Sequence, residues 1–131
     1  MKYEATRRDG LLLVRVCQRA LVQSPDWESL ESMFGDDVRL VALDLHEPKF
    51  VSSLFWEGCI ELGRRLAQTG RQLVLVYLDD RQKRLLELVA GGARLPVLDS
   101  EEDLEERLRS ASVDRPSAEG VTTEEKNMLW S

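Results

Sequence analysis

Apolar residues run almost unbroken through Leu11-Leu12-Leu13-Val14-Arg15-Val16-Cys17, Val38–Leu45 and Gln72–Leu78, and they recur at helical spacing in between. Short continuous apolar runs suit strands covered on both faces, so Val38–Leu45 is expected at the centre of a sheet with Gln72–Leu78 buried as a second strand. The first run follows an Asp9-Gly10 turn preceded by Tyr3–Arg7, which predicts an N-terminal hairpin whose first strand is the weaker. Ser24-Pro25-Asp26 offers a cap, a proline at the first helical position and an acidic first turn. Trp27, Leu30, Met33 and Phe34 then share one face, predicting a short helix that ends at Gly35. From Ser53 to Thr69 the residues Phe55, Cys59, Leu62 and Leu66 repeat with helical period, Glu61 stands four before Arg65, and Gly70 stops the run. Asp79-Asp80 caps a helix carrying Leu85, Leu86, Leu88 and Val89, which Gly91-Gly92 terminates. Leu95–Leu98 reads as a short strand. Asp99-Ser100 opens a last helix with acidic Glu101, Glu102 and Asp103 in its first turn, Leu104 and Leu108 facing inward, and Arg107 and Arg109 in its last turn.

The resulting order, β-β-α-β-α-β-α-β-α, predicts an α/β fold: a mixed β-sheet of about five strands with four helices largely on one side. Beyond Ser110 the residues shift to Ser, Asp, Pro, Glu and Gly, which bury too little apolar surface to order themselves. The expected division is a domain over 1–110 and, over 111–131, a linker with a short tail helix that Thr122-Thr123-Glu124-Glu125 would cap.

With 131 residues, 15.0 kDa and 43% hydrophobic residues, the chain can bury one core but not two. Its 18 basic and 24 acidic residues give a net charge of -6, and the arginines are interleaved with carboxylates, which argues against nucleic acid as partner. Met1–Thr6 does not resemble a signal peptide, and no apolar run approaches the ~20 residues of a spanning helix, so no membrane insertion and a cytoplasmic location are expected. Cys17 and Cys59 lie far apart without ligand spacing and read as free thiols. Neither GxGxxG nor GxxxxGK occurs, no cofactor is implied, and Arg64-Arg65, Arg71, Arg81 and Lys83-Arg84 read as solvated helix faces.

Two places carry candidate chemistry. Ser52 and Ser53 stand where a helix begins, and a hydroxyl there either caps the helix or accepts a phosphate that the helix N–H groups stabilise. Leu54, Phe55 and Trp56 follow directly. Successive helical residues fan out by about 100°, so at least one of the three should be exposed or at an interface. The second place is the carboxyl end of the central strand, where Asp44 precedes His46 and Glu47, with Asp79-Asp80 ending the next strand. A lone loop histidine is more often solvated or hydrogen-bonded than catalytic.

The element order together with Val41-Ala42-Leu43-Asp44-Leu45, Phe50-Val51-Ser52-Ser53 and Leu95-Pro96-Val97-Leu98-Asp99-Ser100-Glu101-Glu102 resembles the STAS domain, shared by sulfate transporters and anti-sigma factor antagonists. The resemblance covers roughly the first 110 residues and implies a non-enzymatic regulatory domain that binds another protein. It matches Ser52, or alternatively Ser53, to the family's phosphorylated position, and places the partner-binding surface at Ser52, Ser53, Leu54, Phe55, Trp56 and Glu57. The implied partner is an anti-sigma factor kinase or a larger signalling complex, with a homodimer also open. Val51 stands where the family usually has aspartate, Leu54 where glycine commonly follows, and Arg19-Ala20-Leu21-Val22 where many members carry Gly-x-Leu-Asp. These departures suit a second reading, a degenerate scaffold or auxiliary subunit without a switch. A third is a small α/β protein that uses Asp44 as a receiver would, or Asp44, His46 and Asp79 in acid–base or metal chemistry.

Overall fold

A computed structural model of the chain describes residues 2–23, 25, 27–90 and 95–113. In chain order its elements are β1 (Tyr3–Arg8), β2 (Leu11–Val16), β3 (Ala20–Leu21), α1 (Glu28–Glu31), β4 (Leu40–Asp44), β5 (Phe50–Val51), α2 (Ser53–Gln68), β6 (Gln72–Val76), α3 (Asp80–Ala90), β7 (Val97–Leu98) and α4 (Glu101–Val113). The main sheet runs β1-β2-β4-β6-β7; β1 is antiparallel to β2 and every other neighbour is parallel. This is the mixed α/β sheet that the order of elements predicts.

Alternation along the strands sorts the core into two layers. Leu12, Val14 and Val16 of β2, Val41 and Leu43 of β4 and Leu73 and Leu75 of β6 face α1, α2 and α3; Leu11, Leu40, Ala42, Val74 and Val76 face α4 through Leu104 and Leu108. Every residue of β4 is buried, because helices cover both its faces and a strand pairs with each of its edges. The hairpin closes through Asp9 at φ 43° and Gly10 at φ 88°, the backbone that an Asp-Gly pair favours between two strands. A side chain at Gly10 would also crowd the Asp37 carbonyl, and the Gly10 carbonyl itself accepts the N–H groups of Arg39 and Leu40, tying the turn to the entry of β4.

Three local expectations are corrected. The helix expected to end at Gly35 shrinks to the single turn Glu28–Glu31, leaving Met33 and Phe34 outside it. Beyond Glu31 the bonds tighten to three-residue turns, the Met33 N–H donating to the Leu30 carbonyl and the Phe34 N–H to that of Glu31, while Arg7 donates to the Met33 carbonyl and Arg71 to that of Gly35. Phe50-Val51, expected as loop, pairs in parallel with Ala20-Leu21 as a separate two-stranded ribbon. Helix α4 runs over Glu101–Val113. The Ser24 and Asp26 cap, the Gly91-Gly92 stop and the tail helix fall outside the described residues. Arg65, expected to pair with Glu61, reaches Glu31 instead while Glu61 takes Arg64.

Arg71 is not surface decoration. Its Nε donates to the Val38 carbonyl at 3.1 Å, Nη2 to Gly35 at 3.0 Å and Nη1 to Thr69 Oγ1 at 2.9 Å, and its guanidinium lies 5.5 Å from the centre of the Phe34 ring. One planar fork therefore joins the end of α2, the segment before β4 and the turn after α1. Arg71→Ala removes the donor of the Val38 carbonyl and leaves that of Gly35 only the Val38 N–H, and it is expected to lower stability by about 1–3 kcal/mol in urea unfolding. Arg71→Lys should recover less than half of the loss, since an ammonium cannot reproduce the fork.

Candidate functional site

The site lies where the chain leaves β4 and enters α2. The intervening loop is pinned from below by Gln82, a buried side chain whose Nε2 donates to the carbonyls of Leu45 (3.3 Å) and Pro48 (3.1 Å). Its Oε1 accepts the Asp79 N–H at 2.9 Å while Asp79 Oδ1 accepts the Gln82 N–H at 2.7 Å, a reciprocal cap that starts α3 and holds the glutamine in place. The loop then meets β3: the Arg19 carbonyl accepts the N–H groups of Lys49 (2.8 Å) and Phe50 (3.1 Å), and the Leu21 carbonyl accepts that of Ser52 at 2.8 Å. In this ribbon Leu21 and Val51 turn into the core, while Ala20 and Phe50 turn outward.

Ser52 occupies the N-cap position of α2 in extended backbone, φ -83° and ψ 165°, and its carbonyl accepts the Phe55 N–H at 3.1 Å. Its hydroxyl does not cap the helix. It donates to the Val22 carbonyl at 3.0 Å, so the side chain fastens the helix start to the residue following β3. Ser53 is exposed in the first turn, and no acidic residue there offsets the positive end of the helix.

Of the six residues expected at a partner surface, Phe55 and Trp56 are corrected: both are fully buried. Phe55 packs at 6.2 Å from Trp27 and 5.8 Å from Trp56, edge to face with the latter, and Trp27 Nε1 donates to the Gly58 carbonyl, so the aromatic group anchors α2 on the sheet. The side chain that the fan of successive residues leaves outside is Leu54, at 49% exposure, and Glu57 is exposed with it. Val22 at 52% and Phe50 at 48% were not singled out in the sequence. They stand on the two chain segments that Ser52 joins, and with Leu54 they account for three of the five large exposed apolar side chains among the described residues, the others being Met33 and Leu88. A two-residue ribbon has no period by which its outward member could be recognised beforehand.

The acidic candidates are only partly brought together. Asp44 is buried at the end of β4, and its Oδ1 accepts the His46 backbone N–H at 3.0 Å and lies 2.7 Å from His46 Nδ1. Asp79 is occupied by its cap on α3, and among the described residues no three His, Cys, Asp or Glu side chains converge to hold a metal ion. Tyr77, which follows β6 at φ 65°, has its phenol pushed up from the ordinary value by burial, then by the charges of Glu101 and Asp44. Both thiols are free; burial pushes Cys59 up, and Cys17 contacts the Arg15 carbonyl. No helix among the described residues is long and apolar enough to cross a membrane.

Gln82 holds the loop only through its amide. Gln82→Ala is expected to cost about 2–3 kcal/mol, since two buried carbonyls lose their donor, and to speed amide hydrogen exchange at Lys49, Phe50 and Ser52 relative to β4. Exchange left unchanged at those three amides would remove the glutamine from the account of the site.

No protein-family model matches the sequence, and no curated protein matches it. Solved structures do. A variant of RsbS from Moorella thermoacetica superposes with a TM-score of 0.63 at 15% identity, covering 86% of this chain and 99% of that one. The anti-sigma factor antagonist SpoIIAA in its unphosphorylated form gives 0.55 at 14% identity, over 82% of this chain and 98% of that one. The murine anion transporter Slc26a9 gives 0.64 at 17% identity, where 80% of this chain corresponds to 18% of the transporter. At these identities the likeness is one of fold.

Proposed function

The chain has the fold of STAS domains, and from that premise we propose that it is a regulatory protein-binding domain of the anti-sigma factor antagonist kind. Its docking surface is the outward rim formed by Val22, Phe50 and Leu54 around Ser52 and Ser53, with Glu57 at its border. The single observation that carries this reading is that, of the five large exposed apolar side chains among the described residues, three stand on or within two residues of the Ser52–Val22 hydrogen bond that ties β3 to α2. The fold shared with an anti-sigma factor antagonist supports the class of partner, an anti-sigma factor with serine kinase activity or a larger signalling complex.

Phosphorylation of Ser52, or alternatively of Ser53, acts as the switch. A phosphoryl ester has no hydroxyl proton, so phospho-Ser52 cannot donate to the Val22 carbonyl, and its oxygens face that carbonyl's lone pairs at close range. About -1.5 to -2 charges then sit in the middle of an apolar rim. The positive end of α2 favours the phosphate in the free domain, while covering it with an apolar partner requires stripping its water. The complex is weakened, while the free domain exchanges the Ser52–Val22 bond for the attraction of the helix start.

A second reading, a scaffold without a switch, has one observation in its favour: the Ser52 hydroxyl is engaged with Val22 and half-buried, so a kinase must first break that bond. Incubating the domain with a purified anti-sigma factor kinase and ATP separates the two. One phosphate by intact mass on the unaltered chain and none on Ser52→Ala supports the switch at Ser52; retention of the phosphate on Ser52→Ala moves it to Ser53, and no phosphate at all leaves the scaffold. Independently of phosphorylation, Leu54→Asp is expected to weaken binding by about 10-fold or more without altering the melting temperature, because the side chain is already outside the core. Equal affinity for Leu54→Asp and the unaltered chain would move the docking surface elsewhere.

A further inference from the structure

The apolar rim around Ser52 has a charged border of two signs. Arg19 and Lys49 stand side by side at the start of the ribbon, since the Arg19 carbonyl accepts the Lys49 N–H at 2.8 Å and the Phe50 N–H at 3.1 Å. Both side chains are exposed, and neither takes part in an ion pair among the described residues. Glu47, the acidic residue of the same loop, is half-buried. On the other border Glu57 is exposed on α2, one turn beyond Leu54, and is likewise without an ion pair among the described residues. Val22, Phe50 and Leu54 therefore lie between two cations on the ribbon side and a carboxylate on the helix side.

The chain carries a segment of matching chemistry outside the described residues. Positions 114–131 hold four acidic side chains against Arg115 and Lys126, and their large apolar residues, Val121 apart, are gathered as Met128-Leu129-Trp130 just after the acid pair Glu124-Glu125. We propose that this segment covers the rim of its own domain, with Met128-Leu129-Trp130 on Val22, Phe50 and Leu54 and with Glu124-Glu125 toward Arg19 and Lys49. Glu57 sets the direction, because an acid pair laid on the α2 side would meet a like charge. Reach is sufficient. From Val113 at the end of α4 to Met128 an extended chain spans about 50 Å, against a radius of gyration of about 13 Å for a domain of this size, so the segment comes round from the opposite face of the sheet. Three half-exposed side chains offer far less than the ~800 Å² that each copy contributes to a stable dimer. A tethered segment needs less, since its effective concentration is on the order of 1 mM. The inference rests on the reading of the rim as a docking surface, which the segment keeps closed until a partner displaces it.

Cysteine pairs introduced into the full chain test the contact, because a disulfide forms only between side chains that meet. In a Cys17→Ser background, Leu54→Cys with Leu129→Cys is expected to close an intramolecular disulfide under mild oxidation about 10-fold faster than Leu88→Cys with Leu129→Cys. Leu88 on α3 is the control for chance encounter: at 81% it is more exposed than any side chain of the rim and lies outside it. Reversing Glu124 and Glu125 to lysine should slow the first reaction by about threefold. Equal rates for the two pairs, a disulfide formed only between two copies, or a rate indifferent to the charge reversal overturns the proposal. A fast link between positions 54 and 129, together with kinase affinity unchanged by Leu54→Asp, keeps the contact and removes the docking reading of the rim instead.

Discussion

Ser52 is held twice by one short stretch of chain: its N–H donates to the Leu21 carbonyl and its hydroxyl to that of Val22. Consecutive carbonyls along an extended strand point to opposite sides, so a single residue reaches both only because its side chain supplies the second donor. This crossing fixes where α2 begins. With the helix start set, Phe55 and Trp56 fall onto the sheet, and Leu54, one position earlier, is directed to water. The exposed rim and the buried aromatic anchor are two consequences of one phase, and shifting the helix start by a residue would exchange them.

The same crossing explains why the loop after β4 needs an internal support. Leu45 belongs to the core while its carbonyl does not find a strand partner, and the carbonyl of the buried Pro48 likewise needs a donor. Gln82 supplies the missing donor to both, and it is itself oriented by the cap on α3. Helix α3 thereby does more than cover the sheet. Through one amide it sets the height at which the chain arrives at β3, so a cap on one helix and the hydroxyl at the start of another belong to one continuous hydrogen-bonded path.

What the sequence discloses of this arrangement follows from range. The central strand, the Asp9-Gly10 hairpin and α2 announce themselves, because an apolar run, a turn pair and a helical repeat are local patterns that the core then confirms. The turn at Glu28–Glu31 misleads for the opposite reason: its apolar spacing is genuine, but the segment after it is held by Arg7 and Arg71, far away in the chain, which donate to the carbonyls of Met33 and Gly35. The ribbon of Ala20-Leu21 with Phe50-Val51 has too few residues to show a period. Ser52 was legible as a special hydroxyl at a helix start, whereas its acceptor depends on β3 being beside it, which only the folded chain decides. Of the expected surface, Leu54 is exposed as the fan of successive residues required, and Phe55 and Trp56 are buried since a helix covering a sheet must spend its largest side chains inward.

The two unsatisfied regions of this surface differ in kind, and the difference bears on how the domain can be used. The edge of β1 offers backbone groups in a fixed row, which any complementary strand can meet but which carries little chemical identity beyond charge order. The rim around Ser52 offers side chains, a different kind of contact in which shape rather than backbone order would discriminate. They also lie on different parts of the frame: the edge belongs to the hairpin, while the rim belongs to the ribbon and the start of α2. Gln18 nevertheless links them, its side chain accepting the Lys2 N–H beside the edge and donating to the Ala20 carbonyl of the ribbon, so the two regions share a hydrogen-bonded path.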